Sequence, residues 1–595
     1  MTAEIPAFQM LFLFLFITCW GLGLLGWGAA LQRVLGALPE SLRGADRMAF
    51  LILLGHVPVV TMGFLCHLAA PLAGWPGPLV LGTGLGFCLG SRLCLQGDGL
   101  FGDGRTTRRS SLQGGGLFDD GRTTRRSSLQ GGVLFGGVAF FVSLFAARLM
   151  VHGDTGGYHA QAIMWMAEEP VIRGLANVTS VFSYNTSWWM LAGLMSWPWG
   201  APLGAVSVSG PVLVATGVLL WGALLRVLRR EADGADWFWL PALYLWLRQV
   251  VGLNTPSPTT DIPANLVVLS AIWFVVRFGR AEGFLFITTA GGRSFLALAL
   301  LAATAKLSAS PLLACGLVWL VGGGLVLLLK NSRNAIPVFG HALRLMPLAL
   351  CGVAYLFHGW LLSGYPLFPS TLGGAFPAPW QLPAWLPDFT VERARSWAFT
   401  YGASAEIVRT TPTWKLWLYG QSALTNLLVA GSAAAGAVLG AGVLMKTRTN
   451  LWPGIRSLGI PAGLSLLGLA WNLSQVPSLR FSAGFAFGIL GCAFVLVGPH
   501  LPVRPARAVV AVWCLLSFLA LSKLAFARPV SFLRPPAPPV PEAVVERFTR
   551  EGDRIRVSPF PWFAPKPAIV EFEFDENLKI LRSPKGKILE IHSGR

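Results

Sequence analysis

About fourteen apolar runs, most of them close to the length of a membrane span, constrain this chain more than any motif in it. They lie near residues 8–31, 48–70, 78–94, 133–150, 204–225, 237–253, 262–279, 294–308, 310–329, 343–362, 421–445, 456–473, 482–498 and 507–526. A helix needs roughly 20 apolar residues to cross the hydrocarbon core, so runs of this kind predict a polytopic, all-α membrane protein. Composition agrees: 54% of the 595 residues are apolar and only 12% charged, with a mean hydropathy of +0.60. That excludes a large soluble core. Lys306, Ser308 and Pro311 interrupt the stretch 294–329 and predict two helices there.

The distribution of charge sets an orientation. The formal net charge is +19, which in a soluble chain would suggest a nucleic-acid partner. Here Lys and Arg cluster between the apolar runs, and alternate loops differ sharply. If the N-terminus is outside, the inner loops carry 24 Lys and Arg against nine in the outer segments up to residue 522. This is the asymmetry of the positive-inside rule, so the basic balance reports topology and no nucleic acid is implied. The first run has neither a basic leader nor a cleavage site, which predicts a retained span. The eight cysteines fall almost entirely in apolar runs without paired spacing, as small buried hydrophobes do.

Three regions follow: N-terminal spans over 1–150, a membrane core over 151–526 and a tail over 527–595. GRTTRRSSLQGG occurs at 104–115 and again at 121–132. Rich in Gly, Ser and Arg, the segment 97–132 predicts a disordered cytoplasmic loop. Outer loops are expected at 151–203 and 363–420, the latter rich in Trp that suits the headgroup zone. The tail begins with a Pro-rich linker, and ENLKILRSPKGKILEI within it predicts a small external β-hairpin.

The first outer loop is nearly the only long polar stretch, and chemistry is sought there. Asp154 follows a span and precedes TGGYHAQAIMWMAEE, an amphipathic helix that Pro170 should terminate. A carboxylate there can act as a general base at the membrane surface or simply cap the helix; spacing leaves both open. Tyr158 and His159 stand one turn on, as sugar or phosphate ligands or as interfacial anchors. Glu168 and Glu169 read as solvated charges. Asn185 abuts the next span, as a ligand or a turn residue. Asp261, before Ile-Pro, is a second outer carboxylate with an N-cap as the bland reading. Lys306 inside an apolar run binds a phosphate, pairs with Asp154 or Asp261, or snorkels. Arg480 and Arg248 are further outer cations, whereas Arg148 sits on the wrong face to serve Asp154.

In order along the chain, DTGxYHxQAIxW (154–165), GLAN (174–177), YNTSWW (184–189), SPTTDIPANL (257–266), AKLSASP (305–311), SGYPLFPS (363–370), RFSAGFAFG (480–488) and ENLKILR (576–582) resemble a family of bacterial multi-span membrane proteins grouped with the GT-C glycosyltransferases. The resemblance implies a GT-C-like enzyme of the bacterial inner membrane with its site facing outward and its N-terminus and tail outside. Its partners would be a polyprenyl-phosphate-linked sugar donor, a glycan or lipid-linked acceptor, and membrane lipid. Asp154 would be catalytic, with Tyr158, His159, Asn185, Asp261, Lys306 and Arg480 binding substrate. Three spans precede the one that leads into the acidic loop, more than in many GT-C enzymes, and there is no DxD pair. The residues show no metal-ligand spacing, require no cofactor, and leave room for a divalent cation. Rival expectations are an O-antigen polymerase or ligase and a transporter or lipid-carrier flippase; the lack of half-to-half symmetry among the spans and the gathering of polar groups on one face disfavour the last.

Overall fold

The computed structural model describes, isolated positions aside, residues 9–36, 44–90, 120–252, 254–279, 283–330, 336–400, 452–526, 544–558 and short pieces between 561 and 592. Over these the helices are α1 (Gln9–Leu35), α2 (Gly44–His67), α3 (Pro76–Gly90), α4 (Asp120–Ala146), α5 (Ala160–Glu168), α6 (Ser187–Met195), α7 (Ala201–Ser207), α8 (Gly210–Arg229), α9 (Trp239–Val251), α10 (Asp261–Phe278), α11 (Ala290–Ala305), α12 (Ser310–Lys330), α13 (Ile336–Ser363), α14 (Leu386–Thr400), α15 (Trp452–Gln475), α16 (Leu479–Val497) and α17 (Val503–Phe526). Seven stretches of helix among the described residues are long and apolar enough to cross a membrane. They are Met10–Leu35, Gly44–His67, Ala201–Arg229, Asp261–Phe278, Leu307–Val326, Phe339–Ser363 and Leu479–His500.

Seven of the fourteen expected spans are thus met among the described residues. Pro76–Gly90, Gly131–Ala146, Ala290–Ala305 and Arg507–Leu519 are apolar but shorter; at 1.5 Å per residue, a 16-residue helix reaches only about 24 Å of a hydrocarbon core about 30 Å thick. The run 237–253 becomes a 3₁₀ turn followed by α9, thirteen residues long. The run 421–445 lies outside the described residues. The expected break at Lys306 is present: α11 ends at Ala305 and α12 starts at Ser310.

Close helix contact rests on glycine where two backbones touch. A Cβ on Gly28 would stand 1.8 Å from the carbonyl oxygen of Leu51, and one on Gly55 would stand 1.9 Å from that of Leu24. No side chain fits at either, so α1 and α2 meet backbone to backbone, as small-residue packing allows in lipid. At the opening of α2, Asp46 pairs with Arg226 from the end of α8 at 3.0 Å, and Arg226 reaches Asp236 at 2.7 Å. Arg277, at the far end of α10, pairs with Asp233 at 2.9 Å. This ion cluster puts the start of α2 beside the end of α10, so the end of α2 lies toward the start of α10.

Two expectations are corrected. The second repeat copy, 121–132, is helical, forming the first turns of α4; extending a helix from the apolar run 133–146 adds one hydrogen bond per residue and needs no new nucleus. The first copy lies outside the described residues. The helix after Asp154 ends before Pro170 as expected, but it is not an amphipathic surface helix. Residues Ala160 to Ala167 of α5 are all buried, because α6 and α7 pack against it and the tail touches it at Gln161 and Trp165.

The tail holds β1 (Val545–Phe548), β2 (Arg554–Ser558) and β3 (Ala568–Val570) in one sheet, β2 pairing antiparallel with β1 and parallel with β3. The predicted hairpin is β4 (Lys579–Arg582) against β5 (Ile588–His592), antiparallel with a bulge near Leu581. Gln161 donates to the Ala564 carbonyl at 2.8 Å, and the Ile591 amide donates to the Arg173 carbonyl at 2.9 Å. Lys566 bonds Glu168 at 3.2 Å and Glu169 at 3.1 Å and lies over the Trp165 ring. The two glutamates are thus docking points for the tail.

Candidate functional site

Four charged side chains, distant in sequence, meet at the N-terminal ends of α10 and α16. Asp261 opens α10 and is almost fully buried, with both carboxylate oxygens engaged: Oδ1 by the Lys306 ammonium and Oδ2 by Nε of Arg480. Arg480, the second residue of α16, turns its Nη2 to Asp154 Oδ2 at 2.7 Å. The order Lys306–Asp261–Arg480–Asp154 alternates in sign and sums to zero. A buried carboxylate survives only with such partners, and the start of a helix favours its charge further.

The local sequence explains each position. Lys306 caps α11 with extended backbone between Ala305 and the 3₁₀ turn Leu307–Ala309, so the break in the apolar run is what aims it at Asp261. Its ammonium also lies 3.9 Å from the Phe481 ring centroid, a cation–π contact that helps offset burial. Asp154 stands just ahead of a π turn, Thr155–His159, and makes no side-chain cap bond. The helix-cap reading of this residue is therefore not what is seen. Thr155 Oγ1 bonds Ser257 Oγ at 2.5 Å, tying the loop to the turn ahead of Asp261.

Asp154 and Arg480 are the open side of the cluster, their side chains 36% and 44% exposed against 2% for Asp261. Burial works to raise the Asp154 carboxyl, but the Arg480 guanidinium prevails and holds it below the ordinary value. Burial draws His159 down to about 3, so it is neutral. Burial also keeps the Tyr158 phenol well above its usual value, with the Asp154 charge acting in the same sense, so Tyr158 is a donor. Tyr158 and His159 pack on Trp189, at 5.9 and 5.3 Å between ring centroids. This gives the cluster an aromatic wall.

Asn185 belongs elsewhere. Its Nδ2 donates to the Tyr355 carbonyl at 2.6 Å and its Oδ1 faces His358 at 2.9 Å. Arg148 donates to the Val251 carbonyl at 3.0 Å, away from Asp154 as its helical phase implied. Arg248 is exposed on α9 and makes no ion pair with a described carboxylate. Among the described residues, no group of three or more His, Cys, Asp or Glu could hold a metal.

One residue that sequence reasoning missed organises the cluster. Asn265, buried one turn after Asp261, donates through Nδ2 to the Asp261 carbonyl and the Arg480 carbonyl, each at 2.9 Å. Its Oδ1 accepts from the Gly484 amide at 2.8 Å. The carbonyl of residue 480 and the amide of residue 484 are the two groups a regular helix joins, so the Asn265 amide mates with one peptide step of α16. A Cβ on Gly484 would lie 2.5 Å from the Asn265 carbonyl oxygen. The signal was an Asn at i+4 from an outer Asp inside an apolar run, where an amide requires partners.

Residues 120–487 match a family model whose description is "Domain of unknown function (DUF8201)". The matched stretch contains all four charged residues of the cluster. No curated protein and no solved structure matches the chain.

Proposed function

The chain belongs to the DUF8201 family, and we propose that it is a membrane glycosyltransferase that moves a sugar from a polyprenyl-phosphate-linked donor to a cell-envelope acceptor on the outer face of the bacterial inner membrane. The observation that carries this reading is the convergence of Asp154, Arg480, Asp261 and Lys306, drawn from four separate segments, into one half-open cluster. Asp154 takes the proton of the acceptor hydroxyl. The hydroxyl oxygen forms the new bond to the anomeric carbon as the carbon–oxygen bond to phosphate breaks, and the leaving phosphate keeps the electron pair. Arg480 and Lys306 balance the charge that grows on that phosphate. Asp261 holds both cations in place, and Tyr158 and His159 line the sugar side.

The alternation of charge gives the site a built-in coupling. A phosphate that engages Arg480 competes with Asp154 for the guanidinium. Asp154 then loses the partner that depresses its pKa and becomes the stronger base when the donor is bound. The grouping of polar residues favours this reading over a flippase, which would spread them through the membrane interior. The cluster lies at the start of α10, and the end of α2 lies toward the same end of the bundle.

The test is Asp154→Asn in the native host, with surface glycan and lipid-linked sugar measured at equal protein level. Loss of the transferred sugar with accumulation of its lipid-linked donor is expected. Unchanged glycan refutes the base, and altered glycan chain length with the sugar still transferred points to a polymerase instead.

A further inference from the structure

A second polar chain runs beneath the loop, and its hydrogen bonds do not balance without an added proton. His67, the last residue of α2, places Nε2 3.1 Å from the backbone carbonyl of Glu169. Its Nδ1 lies 2.9 Å from Nε2 of His358 on α13. Nδ1 of His358 lies 2.9 Å from Oδ1 of Asn185. All four ring nitrogens are engaged, so neither ring has a free orientation.

The donors can be counted. A backbone carbonyl only accepts, so His67 Nε2 carries a hydrogen. Asn185 is fixed with its oxygen toward His358, because its Nδ2 donates to the Tyr355 carbonyl; reversing the amide would set two oxygens 2.6 Å apart. An amide oxygen only accepts, so His358 Nδ1 also carries a hydrogen. In two neutral rings the remaining nitrogens would both be bare, with lone pairs facing across 2.9 Å. We propose that His67 and His358 form a buried proton-binding site that holds one further proton in common, so that the pair carries a single positive charge.

Two helix ends offset part of the cost that burial puts on a charge here. His67 ends α2 and His358 lies in the last two turns of α13, where helix carbonyls favour positive charge. The Phe64 ring lies 5.3 Å from the His358 ring. The charged and titratable groups on the neighbouring segments are Glu169 and Glu168, held by Lys566 of the tail, Arg173 further along the same loop, Tyr184 beside Asn185, Tyr355 and Cys351 on α13, and Cys66 beside His67. The proton joins the end of α6's preceding loop at Asn185 to the docking point of the tail at Glu169, so its loss separates α2 from α13 beneath that loop.

The experiment compares the full-length protein with His358→Leu, in which no second ring is present to share a proton with His67. Unfolding is followed from pH 5 to pH 9 in the same detergent. The native pair holds three protons, whereas two unfolded histidines hold nearly four well below about pH 6.5 and nearly two well above it. Stability of the wild type relative to the variant must therefore fall on the alkaline side, the unfolding constant rising by up to about tenfold per pH unit. A wild-type advantage that stays level above pH 7 means two neutral rings and overturns the proposal. If the variant does not fold, ring-nitrogen NMR of selectively labelled wild type decides: one imidazolium shared by the pair at pH 7.5 supports it, and two neutral rings refute it.

Discussion

Replacing Asn265 with Ala should detach α16 from α10 at the point where Arg480 meets Asp261. Three hydrogen bonds vanish: two from Nδ2, to the carbonyls of Asp261 and Arg480, and one accepted by Oδ1 from Gly484. At about 1 kcal/mol net for each, the loss is about 3 kcal/mol. Asn265 is 3% exposed, so water does not readily replace the amide, and the figure belongs to the upper part of that range. For a chain of 595 residues each kcal/mol moves the unfolding midpoint by about 0.8 °C, so a drop of about 2 °C is expected in detergent. Asn265→Ala combined with Gly484→Ala should lose less than the sum of the two, because each change already breaks the same contact. A midpoint unchanged within 1 °C, or strict additivity in the double variant, would show that the amide does not join the helices.

Other expectations follow from the same geometry. Gly55→Leu drives a side chain into the Leu24 carbonyl and should destabilise the protein by about 3 kcal/mol, seen as loss of monodisperse protein on size exclusion. Lys566→Ala removes both links to Glu168 and Glu169; at about 1 kcal/mol or less for such exposed pairs, the bulk midpoint should hold while limited proteolysis cuts the tail faster. Asp154 has a lowered pKa, so the stability it contributes is present above the ordinary carboxylate range and is lost as pH falls through the native value. Asp154→Asn should flatten that acid limb, measured by unfolding between pH 2 and pH 5. Under the proposed activity, Arg480→Gln lets the Asp154 carboxyl rise, and the acid limb of the sugar-transfer rate should move to higher pH.

The helical membrane class was legible because hydropathy acts residue by residue, and the break at Lys306 was legible because an ammonium cannot lie unpartnered in a span. The number of spans was not. An apolar run does not state whether its helix reaches across the bilayer or stops at thirteen residues, as α9 does. The membership of the cluster was readable at Asp154, Asp261, Lys306 and Arg480, since each is a charge at a span's edge. The Lys306–Asp261 pair was among the readable alternatives; the bridging of Asp261 to Asp154 through Arg480 was not, because it depends on which helix ends become neighbours. Glu168 and Glu169 looked like solvated charges for the same reason: their partner, Lys566, lies almost 400 residues away. His67 and His358, 291 residues apart, offered no local pattern at all.

Helix α10 is pinned by ions at both ends, through Asp261 at its first residue and Arg277 one residue before its last. The rise between these pegs is about 24 Å, close to the hydrocarbon depth of a thin bilayer. Such a helix cannot piston: a shift by a single turn would pull one charge off its partners and drag it into lipid. Whatever moves must therefore pivot or slide around α10 as a fixed axle.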